Sequence, residues 1–237
     1  MSFPHRVAEN ILPRSKAQNL PAAFREWHFT GYTCDHGEAE EICQMCEKEQ
    51  LRYHFEIKNR LTDHALMVGS TCILRFDVPV FDGDRELTKK EATKHLNDHM
   101  RRMRFESCMR ALEALAKAEG NPILPNALRW FRQHGSLTPN FAFVVFWRLQ
   151  QNKIDHDPTF FTVSLRRHQH QDDLRRMPSD RVHRFWKALT PSQRRMDIEF
   201  GHAEPISASA GDDVSISEIK RRVEEAYPGR LKLPKPI

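Results

Sequence analysis

Four of the five cysteines of the chain lie within 39 residues, at Cys34, Cys43, Cys46 and Cys72. Their spacing is C-x8-C-x2-C-x25-C, and the two residues between Cys43 and Cys46 let both thiolates reach one tetrahedral ion. A thioredoxin-like redox role fits less well, because no β-α-β pattern surrounds the CxxC. The spacing therefore predicts a zinc site in preference to a set of buried thiols that bind nothing.

The segment CQMCEKEQLRYHFEIKNRLTDHALMVGSTCILRF, residues 43–76, resembles small treble-clef or ribbon-like zinc modules. These modules combine a CxxC knuckle, a β-hairpin and a returning cysteine. The resemblance implies a structural zinc ion with four protein ligands and no position for water. Such families return a second pair of cysteines, and Ser70 stands in the place of the missing one. Cys34 is therefore the expected fourth ligand, with His36 and His64 as alternatives.

A short alternating stretch, FTVSL, precedes a strongly basic segment in the second half of the chain. Its pattern predicts a strand with two faces. Phe161, Val163 and Leu165 share the apolar face, and Thr162, Ser164 and Arg166 share the polar one. The stretch resembles the strand of ribbon-helix-helix DNA-binding proteins, in which strands from two subunits pair and enter the major groove. The resemblance implies that the three polar residues read base edges, and arginine suits guanine best.

The same resemblance extends to PSDRVHRFWKAL, residues 178–189, as the turn and second helix of the family. It implies that Ser179 is the helix N-cap, where backbone N–H groups bind a phosphate with Arg181 beside it. The apolar residues of this helix are expected to form the core of a homodimer: Val182, Phe185, Trp186 and Leu189. Further phosphate contacts are expected from Arg167, Arg194 and Arg195.

Charge is distributed unevenly along the 237 residues. Residues 1–100 contain 13 Lys and Arg against 16 Asp and Glu, whereas residues 101–200 contain 18 against 10, a net charge of +8. A regional excess of this kind favours a surface that binds a polyanion. With 39% hydrophobic and 29% charged residues, the composition is that of a globular protein. No apolar run is long enough for a membrane span or a secretory signal, so we expect a cytoplasmic protein without membrane contact.

Element signals divide the chain into four predicted regions. An irregular N-terminal arm (1–26) precedes a zinc-binding hairpin module (27–87), whose two alternating runs flank KNRLTD. A helical basic DNA-binding domain (88–202) follows, and a linker with a short helix (203–237) ends the chain. A helix of more than thirty residues should begin with a capping box at Thr88 and Glu91 and end at Gly120. Thr138 should cap a second, mostly apolar helix.

The sequence thus predicts an α+β fold, with a zinc-stabilised hairpin module followed by a mainly helical basic domain that contains one short strand. We expect a sequence-dependent DNA-binding protein, a dimeric transcriptional regulator with structural zinc, and not an enzyme. No nucleotide-binding or nucleophile motif is present. One alternative is a zinc-stabilised adaptor that binds a protein partner. The other is a metal-dependent nuclease that uses HQHQDD, residues 168–173.

Overall fold

The computed structural model describes residues 3–205 and shows a mixed α+β fold with two hydrophobic clusters. A three-stranded antiparallel sheet and several helices enclose the first cluster, and short helices enclose the second. One long helix, α4 (Lys89–Glu119), contributes buried residues to both clusters. The predicted order of a small sheet followed by a mainly helical region is confirmed. The predicted C-terminal helix lies outside the described residues.

Helices occupy the N-terminal region that was predicted to be an irregular arm. They are α1 (Phe3–Ile11), a 3-10 helix (Leu12–Arg14) and α2 (Leu20–Phe24). Val7 and Ile11 are completely buried against the sheet cluster. The expected arm is therefore part of the same core as the hairpin, because its apolar residues recur at helical spacing and cover one face of that core.

The sheet has the order β1-β2-β3, with β1 (Trp27–Asp35), β2 (Tyr53–Asn59) and β3 (Ala65–Val68). The predicted hairpin is confirmed as β2 and β3, whereas the strand β1 was not predicted. The second alternating run ends as a strand at Val68 and continues as α3 (Ser70–Arg75). Phe55 and Ile57 of β2 are fully buried, so one face of the sheet packs on the core.

Two short strands, β4 (Phe81–Asp82) and β5 (Arg85–Glu86), connect the sheet to α4. Thr88 and Glu91 form the predicted capping box, and Gly120 ends α4 in the left-handed conformation at φ 63°. The first half of α4 packs on the sheet and the second half packs in the helical cluster. The boundary predicted at residue 88 therefore does not separate two cores.

Five helices complete the second cluster. They are α5 (Ile123–His134), α6 (Pro139–Gln151), α7 (His168–Arg176), α8 (Ser179–Phe185) and α9 (Pro191–Glu199). Helix α5 had no counterpart in the sequence prediction. The hydroxyl oxygens of Thr138 and Thr190 accept the capping hydrogen bonds of α6 and α9, so the two Leu-Thr-Pro starts share one capping chemistry.

The strand predicted over residues 161–165 does not form. A 3-10 helix (Pro158–Phe160) leads into an extended segment whose only bridge in the described chain is the parallel pair of Val163 with Leu137. The predicted alternation of burial is nevertheless present, since Phe161, Val163 and Leu165 are buried in the helical cluster. An extended segment buried on one face has the same alternation as a strand, and this explains the wrong prediction.

Candidate metal centre and basic surface

Three cysteines from two separate parts of the chain meet in the sheet half. Cys43 and Cys46 lie in the loop between β1 and β2, and Cys72 lies in the first turn of α3. The Sγ atom of Cys72 lies 3.7 Å from that of Cys43 and 3.3 Å from that of Cys46. All three are free thiols and at most 5% exposed. Sulfur atoms bound to one tetrahedral zinc ion are about 3.8 Å apart, so these three lie close enough to hold a metal ion.

The surroundings of Cys43 favour a thiolate. Its sulfur lies in hydrogen-bond contact with the sulfur of Cys72 and accepts hydrogen bonds from the backbone N–H groups of Met45, Cys46 and Gly69. These donors outweigh burial and lower the pKa of Cys43 to about 5. Contact with Cys43 and then burial raise the pKa of Cys72. The lowered pKa of Cys43 favours the thiolate form, which metal ligation requires.

The loop that contains the CxxC is fixed by its backbone. The N–H of Cys43 donates to the carbonyl of Lys48 at 2.9 Å, and the N–H of Glu47 donates to the carbonyl of Cys43 at 2.8 Å. The N–H of Gln44 donates to Met67 of β3, so the loop lies against the edge of the sheet. Along the chain, a CxxC turn, a hairpin and a helix with a cysteine in its first turn follow one another.

Cys34, the predicted fourth ligand, does not belong to this group. It lies in β1 directly opposite His54, and this register places it on the strand face that carries His54. His64 is exposed in the turn before β3, and His36 belongs to a different cluster. The structure therefore brings three of the four predicted cysteine ligands together and leaves Cys34 apart from them. Cys34 was predicted from its spacing in the sequence, and spacing cannot show on which face of a strand a side chain lies.

His36, Glu41 and His54 form a second group of metal-binding side chains, which sequence inspection did not identify as a set. The Nε2 atom of His36 lies 3.1 Å from Nδ1 of His54, and its Nδ1 lies 3.5 Å from a carboxylate oxygen of Glu41. The Nε2 atom of His54 donates to the carbonyl of Ile42 at 3.2 Å. Burial, and then the proximity of His36, lower the pKa of His54.

The backbone of residues 162–165 makes its hydrogen bonds inside the chain. The N–H of Leu137 donates to Thr162, and Leu137 accepts from the N–H of Ser164. Side chains from α7 and α9 donate to the remaining carbonyls. These are Gln193 to Val163, His170 to Ser164 and Gln171 to Leu165, at 2.7, 3.0 and 2.9 Å. All four carbonyls of residues 162–165 thus accept hydrogen bonds within the chain and are not available for pairing with a second copy.

The residues expected in the dimer core are used within one chain. Val182, Phe185, Trp186 and Leu189 are all buried in the helical cluster. Pro178, not Ser179, is the N-cap of α8, and the Ser179 side chain makes no capping hydrogen bond. The four apolar side chains are therefore not available to form the core of a ribbon-helix-helix dimer in this structure.

The predicted DNA contacts fall into two classes. The hydroxyl of Thr162 donates to the carbonyl of Gly135 at 2.9 Å, and the guanidinium of Arg194 donates to the carbonyls of Trp186 and Lys187, both at 3.1 Å. These two side chains support the fold, and Ser164 is only partly accessible. The second class is exposed and takes part in no ion pair within residues 3–205: Arg166, Arg167, Arg181 and Arg195.

Arg181 lies in a row of arginine and aromatic side chains on α6 and α8. Its guanidinium carbon is 5.0 Å from the centroid of Phe143, and that of Arg148 is 4.1 Å from the Trp147 ring. The two rings are parallel, with centroids 6.0 Å apart, and Trp147 is 36% exposed. The row was not predicted from the sequence, although the i, i+4 spacing of Phe143 and Trp147 on a predicted helix could have indicated it.

The chain matched no protein-family model, no curated protein and no solved structure in the three comparisons. Among the described residues, none of the helices combines the length and apolar character that crossing a membrane requires.

Proposed function

We propose that the protein is a DNA-binding protein whose sheet half is held together by a zinc ion at Cys43, Cys46 and Cys72. The observation that carries the DNA-binding part is the exposure of Arg166, Arg167, Arg181 and Arg195 without carboxylate partners in the described chain. They belong to a region with a net charge of +8. Arginines that are not neutralised within the protein are available to neutralise phosphates.

The ion pairs of the helical half support this assignment. Arg104, Arg132, Arg148 and Arg175 are paired with Asp155, Glu113, Glu119 and Asp172. Four carboxylates of this half are therefore already paired with arginines other than the four exposed ones. The unpaired arginines flank α7 or lie in α8 and α9. Stacking of Arg181 on Phe143 restricts its guanidinium, which lowers the entropy lost when it binds a phosphate.

The zinc part rests on the three buried thiols and on the N–H donors that stabilise a Cys43 thiolate. The order of CxxC turn, hairpin and helix agrees with a treble-clef module, with one cysteine fewer than such a module uses. Three thiolates occupy three positions of a tetrahedral ion, and a ligand outside the cysteine group takes the fourth. A zinc ion here would join the β1–β2 loop to α3 and so stabilise the sheet half.

A salt series with a matched pair of double variants tests DNA binding. Fluorescence anisotropy with a labelled duplex should give a log K against log salt slope of about −0.9 per phosphate contact. Arg166→Gln/Arg167→Gln should reduce the magnitude of that slope by about two units. Arg25→Gln/Lys90→Gln removes the same charge from exposed positions outside the proposed surface and should leave the slope unchanged.

Equal effects of the two double variants would show that only net charge matters, and the proposed surface would be wrong. Absence of any duplex binding at low salt would favour the protein adaptor. Zinc analysis of the same samples separates the two parts of the proposal, because the arginine variants leave the cysteines untouched.

A further inference from the structure

We propose that His36, Glu41 and His54 form a second metal site, which binds a divalent transition-metal ion and is distinct from the cysteine site. The inference does not depend on DNA binding. It concerns three side chains from three backbone segments that meet at the edge of the sheet. Two imidazoles and one carboxylate are a ligand set that zinc, cobalt and nickel ions accept.

The backbone places the three residues before any metal binds. His54 lies in β2 opposite Cys34, and the N–H of His36 donates to the carbonyl of Arg52 at 3.0 Å, which extends the β1–β2 pairing beyond Asp35. Glu41 pairs with Leu51 through two backbone hydrogen bonds of 3.0 and 2.9 Å. Each donor is thus attached to a fixed segment, so little conformational entropy is lost when a metal binds.

The distances between the donor atoms suit one ion. Nitrogen atoms bound to a tetrahedral metal at about 2.0–2.1 Å are about 3.3 Å apart. The Nε2 atom of His36 and the Nδ1 atom of His54 are separated by 3.1 Å. A carboxylate oxygen of Glu41 lies within 4.8 Å of a ligand nitrogen of each histidine. A small rotation of an exposed Glu41 side chain is enough to complete the coordination.

The hydrogen bond of His54 gives it the arrangement of a metal ligand. The carbonyl of Ile42 can only accept, so Nε2 of His54 carries the proton and Nδ1 presents its lone pair towards His36. Histidine ligands commonly donate their other ring N–H to a backbone carbonyl, which fixes the tautomer and orients the ring. His54 is buried and therefore has little freedom to turn away.

His36 cannot satisfy both of its neighbours with one proton. If the proton of His36 is on Nδ1, which faces Glu41, the lone pairs of its Nε2 and of Nδ1 of His54 face each other at 3.1 Å. With the proton on Nε2, the lone pair of Nδ1 faces the Glu41 carboxylate. A metal ion between the two rings would be ligated by both lone pairs at once and would also attract the Glu41 carboxylate.

The site is open on one side. The side chains of His36 and Glu41 are 28% and 47% exposed, and both line a groove of about 750 Å³. Three protein ligands leave a coordination position that water or an exogenous anion from the groove can occupy. Cys43 also lines this groove, but the residues of the cysteine site are at most 5% exposed. The two sites therefore differ in ligand chemistry and in solvent access.

Cobalt titration of the full-length reduced protein, after removal of zinc, tests the proposal. Thiolate ligation gives an intense sulfur-to-cobalt charge-transfer band, whereas histidine and carboxylate ligation gives only weak visible bands. We expect one equivalent that produces the charge-transfer band and a second that adds visible absorption without it. His36→Ala and Glu41→Gln should weaken binding of the second equivalent by about 100-fold or more, beyond the range for loss of an outer-shell partner.

His64→Ala is the matched control, since it removes an exposed histidine from the turn between β2 and β3, outside both clusters. This variant should retain both cobalt equivalents. The charge-transfer band should remain in every histidine variant. A single equivalent in the unmodified protein would overturn the proposal. A second equivalent that persists in His36→Ala and Glu41→Gln would also overturn it. Loss of the charge-transfer band alone would contradict the cysteine site and leave this one standing.

Discussion

The guanidinium of Arg52 donates two hydrogen bonds to the carboxylate of Asp35, at 2.8 and 3.0 Å, and a third to Asp155 at 2.9 Å. Asp35 ends β1 and Arg52 precedes β2, whereas Asp155 lies beyond α6 in the helical half. Asp155 also accepts from Arg104 of α4 at 3.1 Å. One guanidinium group thus connects the edge of the sheet to the second cluster.

The Asp35–Arg52 pair should make the stability depend on pH. Burial alone would raise the pKa of Asp35, but hydrogen bonds from Arg52 and from the N–H of Gly37 lower it below its ordinary value of 3.8. A carboxylate with a lowered pKa in the folded state stabilises the protein above the unfolded pKa, and this contribution is lost as the pH falls through the folded pKa. Asp35→Asn should lower the free energy of unfolding by about 3 kcal/mol at pH 7, because the side chain is only 3% exposed.

Urea unfolding of both proteins between pH 7 and pH 2.5 is the measurement. The difference between them should be constant above about pH 5 and shrink below about pH 4. Asp155→Asn is the control for the same change at a more exposed carboxylate, and its effect should be smaller. A difference that stays constant down to pH 2.5 would contradict the role of Asp35.

Local signals in the sequence predicted the parts of the structure that depend on near neighbours. The capping box at Thr88 and the N-cap at Thr138 are examples, because in each a side-chain hydroxyl accepts a hydrogen bond from a backbone N–H three residues away. The two-residue spacing of Cys43 and Cys46 is another, because one turn brings both sulfurs together. The three-cysteine cluster was therefore recognisable from sequence at these two residues and at Cys72, which follows the predicted hairpin.

Features set by strand register and tertiary contacts were not predictable in the same way. Cys34 is excluded from the cysteine group by its position opposite His54, which depends on pairing between β1 and β2. The carbonyl of Val163 is occupied by Gln193, a residue 30 positions further along the chain. Neither relationship leaves a periodic trace in the sequence, so the alternation at residues 161–165 resembled a free strand.

Substitution of single cysteines should separate the metal ligands from Cys34. Cys43→Ser should carry one zinc fewer per chain than the unmodified protein and unfold at lower temperature, because metal binding and folding are coupled at such sites. Cys34→Ser is the matched control and should keep the zinc content and the melting temperature. Metal analysis by mass spectrometry and thermal melting under reducing conditions provide the two readouts. Equal zinc loss in both variants would restore Cys34 as a ligand.

Truncation of Phe185 should affect stability independently of protein concentration. Its side chain is fully buried among residues of the helical cluster of the same chain. Phe185→Ala should therefore lower the free energy of unfolding by about 3–5 kcal/mol through loss of burial and the resulting cavity. Chemical unfolding should be measured at two protein concentrations that differ by about 50-fold. For each protein, the midpoint should be the same at both concentrations. A midpoint that rises with concentration would instead place Phe185 in an interface between subunits.

Arg194 and Arg195 are neighbours with the same charge and should respond differently to alanine substitution. Arg194 donates to the carbonyls of Trp186 and Lys187, so Arg194→Ala should lower the free energy of unfolding by about 1–3 kcal/mol. Arg195 is exposed, and its loss should change stability by less than about 0.5 kcal/mol. In duplex binding, Arg195→Ala should reduce the magnitude of the salt slope by about one unit, whereas Arg194→Ala should leave it unchanged while the protein is folded. Unfolding curves and anisotropy titrations at several salt concentrations supply both quantities. If the two variants bind DNA equally weakly and are equally stable, the division between supporting and phosphate-binding arginines is wrong.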